Sequence, residues 1–403
     1  MTTSSPLVTE FAGVRFANPF IVAACPLTSD ASHILAAAHL GWGGAVTKTI
    51  TAHPQYSRNL TPALSFIKAK HEIVGLGNNE VRTHLGIRQW CENEIPRIKK
   101  EAPDFVLIGS VMEGVNPSDW NTTARTLEAA GVDMIEMNVS CAHGMPERWR
   151  GSYINDDPDL LEAVVSGCKA NCSVPVIVKL NALCRDLGGA VRACVKGGAD
   201  ALAATNTLLA LPSVDIRREV PNRPSSVSGE STVMGYSGTG IRPFGLHAIS
   251  QMARNCALPL SGVGGIDTWE NSVEYILLGA TTVQVCTAAM IHGLSLIDNL
   301  KTGLCDYLLK HDAGGIRDLR GKALSSLVTP EEALNATTEA SAAVDYNACT
   351  VCNKCIEPCT QAATAAISLR DGKILIDEQR CIGCGLCIAV CPFEAIEMKL
   401  PGQ

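Results

Sequence analysis

Residues 176–207, VIVKLNALCRDLGGAVRACVKGGADALAATNT, carry the pattern that decides the fold of most of this chain. The stretch begins and ends with short apolar runs, residues 176–179 and 201–204. Between them, residues 189–196 have a helical composition and are followed by Gly197, a residue type common just past a helix end. Strands that are apolar throughout are typical of parallel sheets covered on both faces. The stretch therefore predicts one β–α–β unit.

The same alternation continues from the N-terminus to about residue 305. It contains eight candidate strands: residues 20–23, 45–48, 106–109, 134–137, 176–179, 201–204, 258–261 and 282–285. Eight β–α units over roughly 300 residues favour a TIM (β/α)8 barrel. The alternative, a doubly wound open sheet, would usually carry a Gly-x-Gly-x-x-Gly motif after its first strand, and none follows residues 20–24. We therefore predict an α/β fold with a barrel over residues 1–305.

The C-terminal tail carries a dense set of cysteines. Two copies of C-x2-C-x2-C-x3-C hold eight of the 18 cysteines: Cys349, Cys352, Cys355 and Cys359, then Cys381, Cys384, Cys387 and Cys391. This spacing is that of bacterial two-cluster ferredoxins, in which the fourth cysteine of each copy ligates the other cluster. The predicted ligand sets for two [4Fe–4S] clusters are Cys349, Cys352, Cys355 and Cys391, and Cys359, Cys381, Cys384 and Cys387.

Structural zinc is the alternative interpretation of the tail, but zinc sites usually use two separated C-x2-C knuckles. We predict a small α+β ferredoxin-like domain over residues 346–403. Residues 306–345 are interpreted as a connector, in which Thr329, Pro330 and Glu332 mark the start of a helix.

Length and charge narrow the classes of protein. The 403 residues suffice for one large and one small domain, and 46% of them are hydrophobic. The net charge of -7 and the lack of a Lys/Arg run argue against nucleic-acid binding. Residues 1–10 do not resemble a signal peptide, and no apolar run approaches the ~18 residues that a membrane span needs. We expect a soluble, cytoplasmic protein.

Polar residues follow most of the predicted strands, where a TIM barrel places its active site. They are Lys48-Thr49, residues 138–141, Lys179 with Asn181, Asn206-Thr207, Gly264-Gly265 and Cys286-Thr287. A lysine after a buried strand is costly unless it meets an anion or an electron-rich ring. Lys48 and Lys179 at one barrel mouth therefore indicate a flavin, which gains negative charge near N1 on reduction. Residues 261–265 and Thr287 suit its phosphate, and residues 235–240 offer further backbone donors.

The motifs together resemble a known family. They are residues 18–20 (NPF), 41–44 (GWGG), 47–49 (TKT), Asn78-x-Glu80, 138–145 (NVSCAHGM), 204–207 (ATNT), 237–243 (SGTGIRP), 264–267 (GGID) and 284–287 (QVCT). With the ferredoxin-like tail, they resemble the PreA-type catalytic subunits of bacterial NAD-dependent dihydropyrimidine dehydrogenases and the C-terminal part of the animal enzyme. The barrel alone is similar to the dihydroorotate dehydrogenases.

The resemblance implies roles for individual residues. FMN would be held by Ala24, Lys48, Thr49, Asn138, Lys179, Gly238, Gly264, Gly265, Cys286 and Thr287. A pyrimidine would be bound by Asn78, Glu80, Asn138, Asn206 and Thr207. Cys141 would be the general acid, with Ser140 and His143 beside it. A thiol suits this role because its reference pKa of ~8.5 lies close to the working pH.

The resemblance also implies the reaction, which is reduction of the C5=C6 bond of uracil or thymine, or the reverse. Electrons would pass through two [4Fe–4S] clusters from a partner subunit that binds FAD and NAD(P)H (PreT-like). A hetero-oligomer built on a barrel dimer is expected.

Two features leave the substrate open. Arg82 and the basic loop 146–151 could pair with a carboxylate, so a related ene-reductase of an anionic ring such as orotate is an alternative. An electron-transfer adaptor without turnover is a second alternative, which the lysines and Cys141 disfavour. The remaining cysteines, including Cys25, are interpreted as inert core residues.

Overall fold

The computed structural model describes residues 5–52, 63–69, 72–79, 83–141, 152–211, 214–217, 220–221, 233–335 and 339–400. The chain divides into two compact units, Met1–Ser325 and Ser326–Gln403. Glu80, Arg82, His143 and the loop 146–151, to which the sequence assigned roles, lie outside the described residues.

The first unit contains a closed barrel of eight parallel strands. They are Phe20–Val22, Gly44–Val46, Val106–Val111, Met134–Asn138, Val176–Leu180, Ala201–Ala204, Leu260–Val263 and Ala280–Val285. Each strand pairs with its neighbours in the chain, and the eighth pairs with the first, with Val285 opposite Val22. The predicted barrel is confirmed, and the open doubly wound alternative is wrong.

The eight predicted strands correspond one to one with the barrel strands, with small differences at their ends. The seventh was predicted at residues 258–261 but spans Leu260–Val263. Pro259 explains the shift, because it has no N–H to give to the ladder, while its carbonyl accepts a hydrogen bond from Leu202 N at 3.0 Å.

Helices cover the outside of the barrel. The longer ones are Ala31–Leu40, Ile95–Glu101, Pro117–Ala130, Pro158–Lys169, Leu187–Lys196, Arg242–Asn255, Trp269–Leu277 and Leu296–Lys310. Local sequence signals delimit them: the Asp30 carboxylate accepts from His33 N at 3.0 Å, and Gly41 ends the same helix with φ 87°. Among the described residues, no helix combines the length and apolar character needed to cross a bilayer.

A hairpin near the N-terminus of the chain packs against the interior of the barrel. Strands Thr9–Phe11 and Val14–Phe16 form an antiparallel hairpin whose Phe11 and Phe16 are fully buried. These rings belong to a core cluster with Ile21 and Val46 from inside the barrel. The hairpin and these apolar side chains fill this part of the interior.

A four-stranded antiparallel sheet is built from insertions between barrel strands. Its order is Leu208–Ala210, Met234–Ser237, Glu72–Asn78 and Leu64–Ala69. Strand Glu72–Asn78 follows the second barrel strand and Met234–Ser237 precedes the seventh, and both run beside the cavity described below. The sheet thereby brings Asn78 and Gly238 to the active end of the barrel.

The second unit is small and α+β. Its strands Ser341–Val344 and Ile396–Lys399 pair antiparallel, as do Ile367–Arg370 and Lys373–Ile376, and its helices include Pro330–Asn335, Ile356–Ala362 and Leu386–Ala389. The helix start predicted at Thr329 is confirmed, since Thr329 Oγ1 accepts from Glu332 N at 3.2 Å and Glu332 accepts from Thr329 N at 2.7 Å. The stretch predicted as a connector, 306–345, is divided between the two units.

Replacing Gly43 by alanine should destabilise the barrel. Gly43 directly precedes the second barrel strand. A Cβ at this position would overlap the carbonyl oxygen of Asn18. We expect Gly43→Ala to lower the free energy of unfolding by about 1–3 kcal/mol. Thermal unfolding followed by circular dichroism measures the change. Gly86→Ala is the control, because a Cβ there meets nothing within 4 Å, and an equal loss in both variants would contradict the steric argument.

Candidate active site

A cavity of about 460 Å³ opens at the carboxyl end of the barrel strands. This is within the usual size range of small-molecule sites. Nine residues with sequence-based roles line it: Ala24, Lys179, Asn206, Thr207, Gly238, Gly264, Gly265, Cys286 and Thr287. They come from the ends of strands one, five, six, seven and eight and from the four-stranded sheet. The barrel therefore gathers residues that are up to 263 positions apart, from Ala24 to Thr287.

A smaller cavity of about 70 Å³ lies beside the first. Lys48, Thr49, Asn78, Asn138 and Cys141 line it. The two cavities have wall residues in common: Ala24, Lys179, Asn206, Thr207, Ser237 and Cys286. The residues predicted to hold the flavin ring, the pyrimidine and the transferred proton thus meet at one place.

Lys179 is held by a buried polar triad. Its Nζ lies 3.2 Å from Glu136 Oε1 and donates to Gln284 Oε1 at 2.9 Å. Gln284 Nε2 donates to Glu136 Oε2 at 2.6 Å, so all three side chains are linked. Glu136 is fully buried and Lys179 nearly so. Since an unpaired charge at this depth would be strongly unfavourable, Glu136 provides the counter-charge that Lys179 needs in the cavity wall.

Glu136 and Gln284 were not predicted from the sequence as functional residues. Glu136 lies between apolar residues in the strand Met134–Asn138, and Gln284 lies between two valines in Ala280–Val285. A charged or amide side chain in such a strand must find a partner inside the barrel. That placement was the available signal, but it does not tell which strand supplies the partner.

An amide network orders the substrate side of the site. Asn206 Nδ2 donates to Asn138 Oδ1 at 2.8 Å, and Asn138 Nδ2 donates to Thr49 Oγ1 at 3.1 Å. Thr49 Oγ1 and Ser110 Oγ lie 3.1 Å apart. These bonds join the ends of strands two, three, four and six. They fix the orientation of two amides that face the small cavity.

Ser140 and Cys141 lie at the end of the fourth strand. Ser140 is fully buried; its Oγ donates to the Lys179 carbonyl at 2.5 Å and accepts from Asn206 Nδ2 at 3.2 Å. The Ser140 hydroxyl thereby ties the turn after strand four to strand five. Cys141, the predicted acid, is 9% exposed and lines the small cavity.

Cys25 and Cys286 form a thiol pair in the cavity wall. The hydrogen bond from the Cys25 thiol lowers the pKa of the Cys286 thiol, and the charges of Lys48 and Lys179 lower it further, against the opposing effect of burial. The same hydrogen bond and burial raise the pKa of Cys25 well above its usual value. The interpretation of Cys25 as an inert core cysteine did not anticipate this pair.

Glycines shape the far end of the large cavity. Gly238, Gly264 and Gly265 adopt left-handed φ values of 102°, 118° and 67°, which side chains other than glycine rarely adopt. A Cβ at Gly265 would lie 2.8 Å from the backbone nitrogen of Arg242. Tyr275 supports this loop by donating to the Gly264 carbonyl at 2.7 Å, and burial raises the pKa of its hydroxyl.

The cysteines of the second unit fall into two groups. Cys359, Cys381, Cys384 and Cys387 line one small cavity, and Cys349, Cys352, Cys355 and Cys391 line another. Each cavity therefore takes three cysteines from one sequence repeat and the fourth from the other. This grouping coincides with the two predicted ligand sets.

The two cysteine repeats also have matching backbones. Val351 and Asn353 separate the first three cysteines with left-handed φ values of 56° and 64°. The equivalent positions in the second repeat are Gly383 and Gly385, with φ 67° and 73°. Left-handed residues between the cysteines curve each segment, so its three thiols line the same cavity.

Comparisons with known proteins agree with this architecture. The profile of the dihydroorotate dehydrogenase family matches residues 6–308, and that of the 4Fe–4S dicluster domain matches residues 342–398. The chain is 32% identical to the NAD-dependent dihydropyrimidine dehydrogenase subunit PreA of Escherichia coli over 96% of the chain and 94% of that protein.

Two further relatives come from a plant and an archaeon. The chloroplastic dihydropyrimidine dehydrogenase (NADP+) of Arabidopsis thaliana is 32% identical over 81% of the chain and 79% of its own length. The catalytic subunit of dihydroorotate dehydrogenase B (NAD+) of Pyrococcus horikoshii is 31% identical over 77% of the chain and 96% of its own length.

Neutralising Glu136 should destabilise the barrel. Glu136→Gln keeps the side-chain shape but leaves the Lys179 ammonium without a counter-charge. We expect a loss of about 3–5 kcal/mol in the free energy of unfolding, measured by denaturant titration. Glu101→Gln is the control, because it breaks the exposed Arg97–Glu101 pair, which is worth about 0–1 kcal/mol. Similar small losses in both variants would contradict a buried charge pair at Lys179.

Proposed function

Because the chain belongs to the dihydroorotate dehydrogenase family, we propose that its active site reduces the C5=C6 bond of a pyrimidine such as uracil or thymine. The chain is an oxidoreductase of the dihydropyrimidine dehydrogenase kind, with a flavin barrel and a 4Fe–4S dicluster unit. The observation that carries the proposal is the convergence of Lys48, Lys179, Asn138 and Cys141 on one small cavity.

The donor set fits FMN in the large cavity. Lys179 is a buried cation in its wall, suited to the N1–C2=O edge of the ring, where negative charge gathers on reduction. Gly264 and Gly265 leave space for a close approach of the backbone, and Thr287 adds a hydroxyl, which suits a phosphate. When bound, FMN supplies the hydride that adds to C6 of the pyrimidine.

The small cavity suits the pyrimidine. It is lined by Asn78, Asn138, Asn206 and Thr207. Their amide and hydroxyl groups include both hydrogen-bond donors and acceptors. A uracil ring presents alternating N–H and C=O groups, which such side chains can pair in one orientation. The bonds from Asn138 to Asn206 and Thr49 hold the amides in place before the substrate arrives.

Cys141 is the proposed general acid. It lines the small cavity together with the amides that would hold the ring, so its thiol can donate a proton to C5 while C6 receives the hydride. Ser140 acts through its buried hydrogen bonds, which fix the turn that carries Cys141. For His143 we propose a role beside Cys141, and for Glu80 a role in binding the pyrimidine.

Electrons for the reduction come from outside the barrel. Two [4Fe–4S] clusters on the eight tail cysteines would pass them one at a time to the flavin. The bacterial relative is a subunit of its dehydrogenase, which supports a partner chain for this protein. We propose that this partner binds FAD and NAD(P)H.

Replacing Cys141 tests the proposed reaction. Cys141→Ala should retain flavin absorbance and iron content but lower turnover at saturating uracil by about 10²–10⁴-fold, because the general acid is lost. Turnover is measured anaerobically as reoxidation of the reduced flavin. Cys305→Ser, a change on the outer helix Leu296–Lys310, is the matched control.

The same assay separates the alternatives when it is run with uracil, thymine and orotate. Reoxidation by uracil or thymine supports the proposal, and reoxidation by orotate alone would identify an ene-reductase of an anionic ring. Reoxidation by none of the three would favour an electron-transfer adaptor. Near wild-type turnover in Cys141→Ala would remove Cys141 from the mechanism.

Paired substitutions test the crossed cluster ligation. In Cys359→Ser/Cys381→Ser both changes fall on one proposed cluster, so about four of about eight iron atoms should remain. In Cys355→Ser/Cys359→Ser the changes fall on different clusters, and both clusters should be impaired. Iron and sulfide analysis after anaerobic purification measures this. The reverse ranking of the two variants would show that each repeat binds its own cluster.

A further inference from the structure

Cys25 and Cys286 meet across the seam that closes the barrel. Cys25 follows the first strand and Cys286 follows the eighth, and these strands are hydrogen-bonded neighbours, with Ala23 N donating to the Val285 carbonyl at 2.9 Å. Both cysteines line the small cavity, and Cys286 also lines the large one. No role proposed above requires two thiols side by side.

The pair is chemically asymmetric. Cys25 is 1% exposed, and burial this deep disfavours the charged form of its thiol. Cys286 is only half-buried, and Lys48 and Lys179 line the same cavity. A thiol beside two cations favours the thiolate, which is the reactive form of cysteine. Cys286 is therefore the nucleophile of the pair, and Cys25 retains its proton.

We propose that Cys286 is a peroxide-reactive thiolate and Cys25 its resolving thiol, so that a hydroperoxide converts the pair reversibly into a disulfide in the cavity wall. A reactive cysteine with a second cysteine next to it is the usual arrangement of reversible redox sites. The proposal needs neither bound flavin nor pyrimidine, so it stands apart from the proposed function.

The chemistry takes place in two steps. The Cys286 thiolate attacks one oxygen of hydrogen peroxide, the O–O bond breaks, and hydroxide leaves, which gives a sulfenic acid on Cys286. The Cys25 sulfur then attacks the Cys286 sulfur; the S–O bond breaks, the thiol proton goes to the leaving oxygen, and water departs. The two sulfurs together lose two electrons, which reduce peroxide to water and hydroxide. Exchange with an external dithiol restores both thiols.

Other barrel cysteines lack this combination. Burial raises the pKa of Cys184 to about 12 and that of Cys172 to about 11, which keeps both protonated near neutral pH. Burial also raises the pKa of Cys305. Cys141 lines the same small cavity as the pair, so it is the internal competitor that the experiment must distinguish.

Peptide mapping tests the proposal on the full chain. The reduced protein is treated anaerobically with one equivalent of hydrogen peroxide, alkylated, and digested with trypsin and a glutamate-specific protease. Cys25 is then the single cysteine of peptide 16–48, and Cys286 the single cysteine of peptide 275–301. We expect these peptides joined by a disulfide that dithiothreitol reverses. Recovery of both as separate, fully alkylated peptides, or a disulfide from Cys286 to Cys141, would overturn the proposal.

Variants assign the two roles. In Cys25→Ala the disulfide cannot form, so peptide 275–301 should carry a sulfenic acid that dimedone labels. Cys305→Ser should leave the wild-type disulfide unchanged. In the untreated chain, the alkylation rates of Cys286 and Cys305 are measured as the pH is lowered. The rate of Cys286 should fall at a lower pH than that of Cys305, because the pKa of Cys286 is lowered and that of Cys305 is raised. Equal pH profiles for the two cysteines would contradict a stabilised thiolate.

Discussion

The buried contact between Lys179 and Glu136 is the interaction on which the barrel mouth depends. A cation against the ring suits a flavin site, but an ammonium almost removed from water is costly without a counter-charge. Glu136 supplies that charge from inside the barrel, and Gln284 forms a hydrogen bond with each of the two groups. The triad takes its members from strands four, five and eight, so it can form only when the sheet has closed.

Barrel closure also explains the other features of the site. The seam between the eighth and first strands brings Cys286 beside Cys25, although the two lie 261 positions apart in the chain. The N-terminal hairpin fills part of the interior with Phe11 and Phe16, and the two cavities lie at the carboxyl ends of the strands. The four-stranded sheet then adds Asn78 and Gly238 to that end. The site is thus assembled from long-range contacts on a rigid frame.

The second unit is stabilised differently from the barrel. Its core is small, and Cys355, Cys359 and Cys387 are themselves among its buried residues. A unit of this size has too little apolar surface to be stable by burial alone, and metal–thiolate bonds can make up the difference. The residues with left-handed φ between the cysteines help to bring the thiols of each repeat to one cavity. The tail is therefore a unit whose ligands and core overlap.

The sequence by itself determined the barrel class, the eight strands and the cysteine repeats, because apolar periodicity and cysteine spacing are local properties. It also indicated Lys48, Lys179, Asn138 and Cys141, since polar residues that follow buried strands must share one end of a barrel. The partners of these residues could not be found in this way. That Glu136 neutralises Lys179, that Ser140 ties two strands together and that Cys25 contacts Cys286 are decided by strand order, closure and register, which bring together residues distant in the chain.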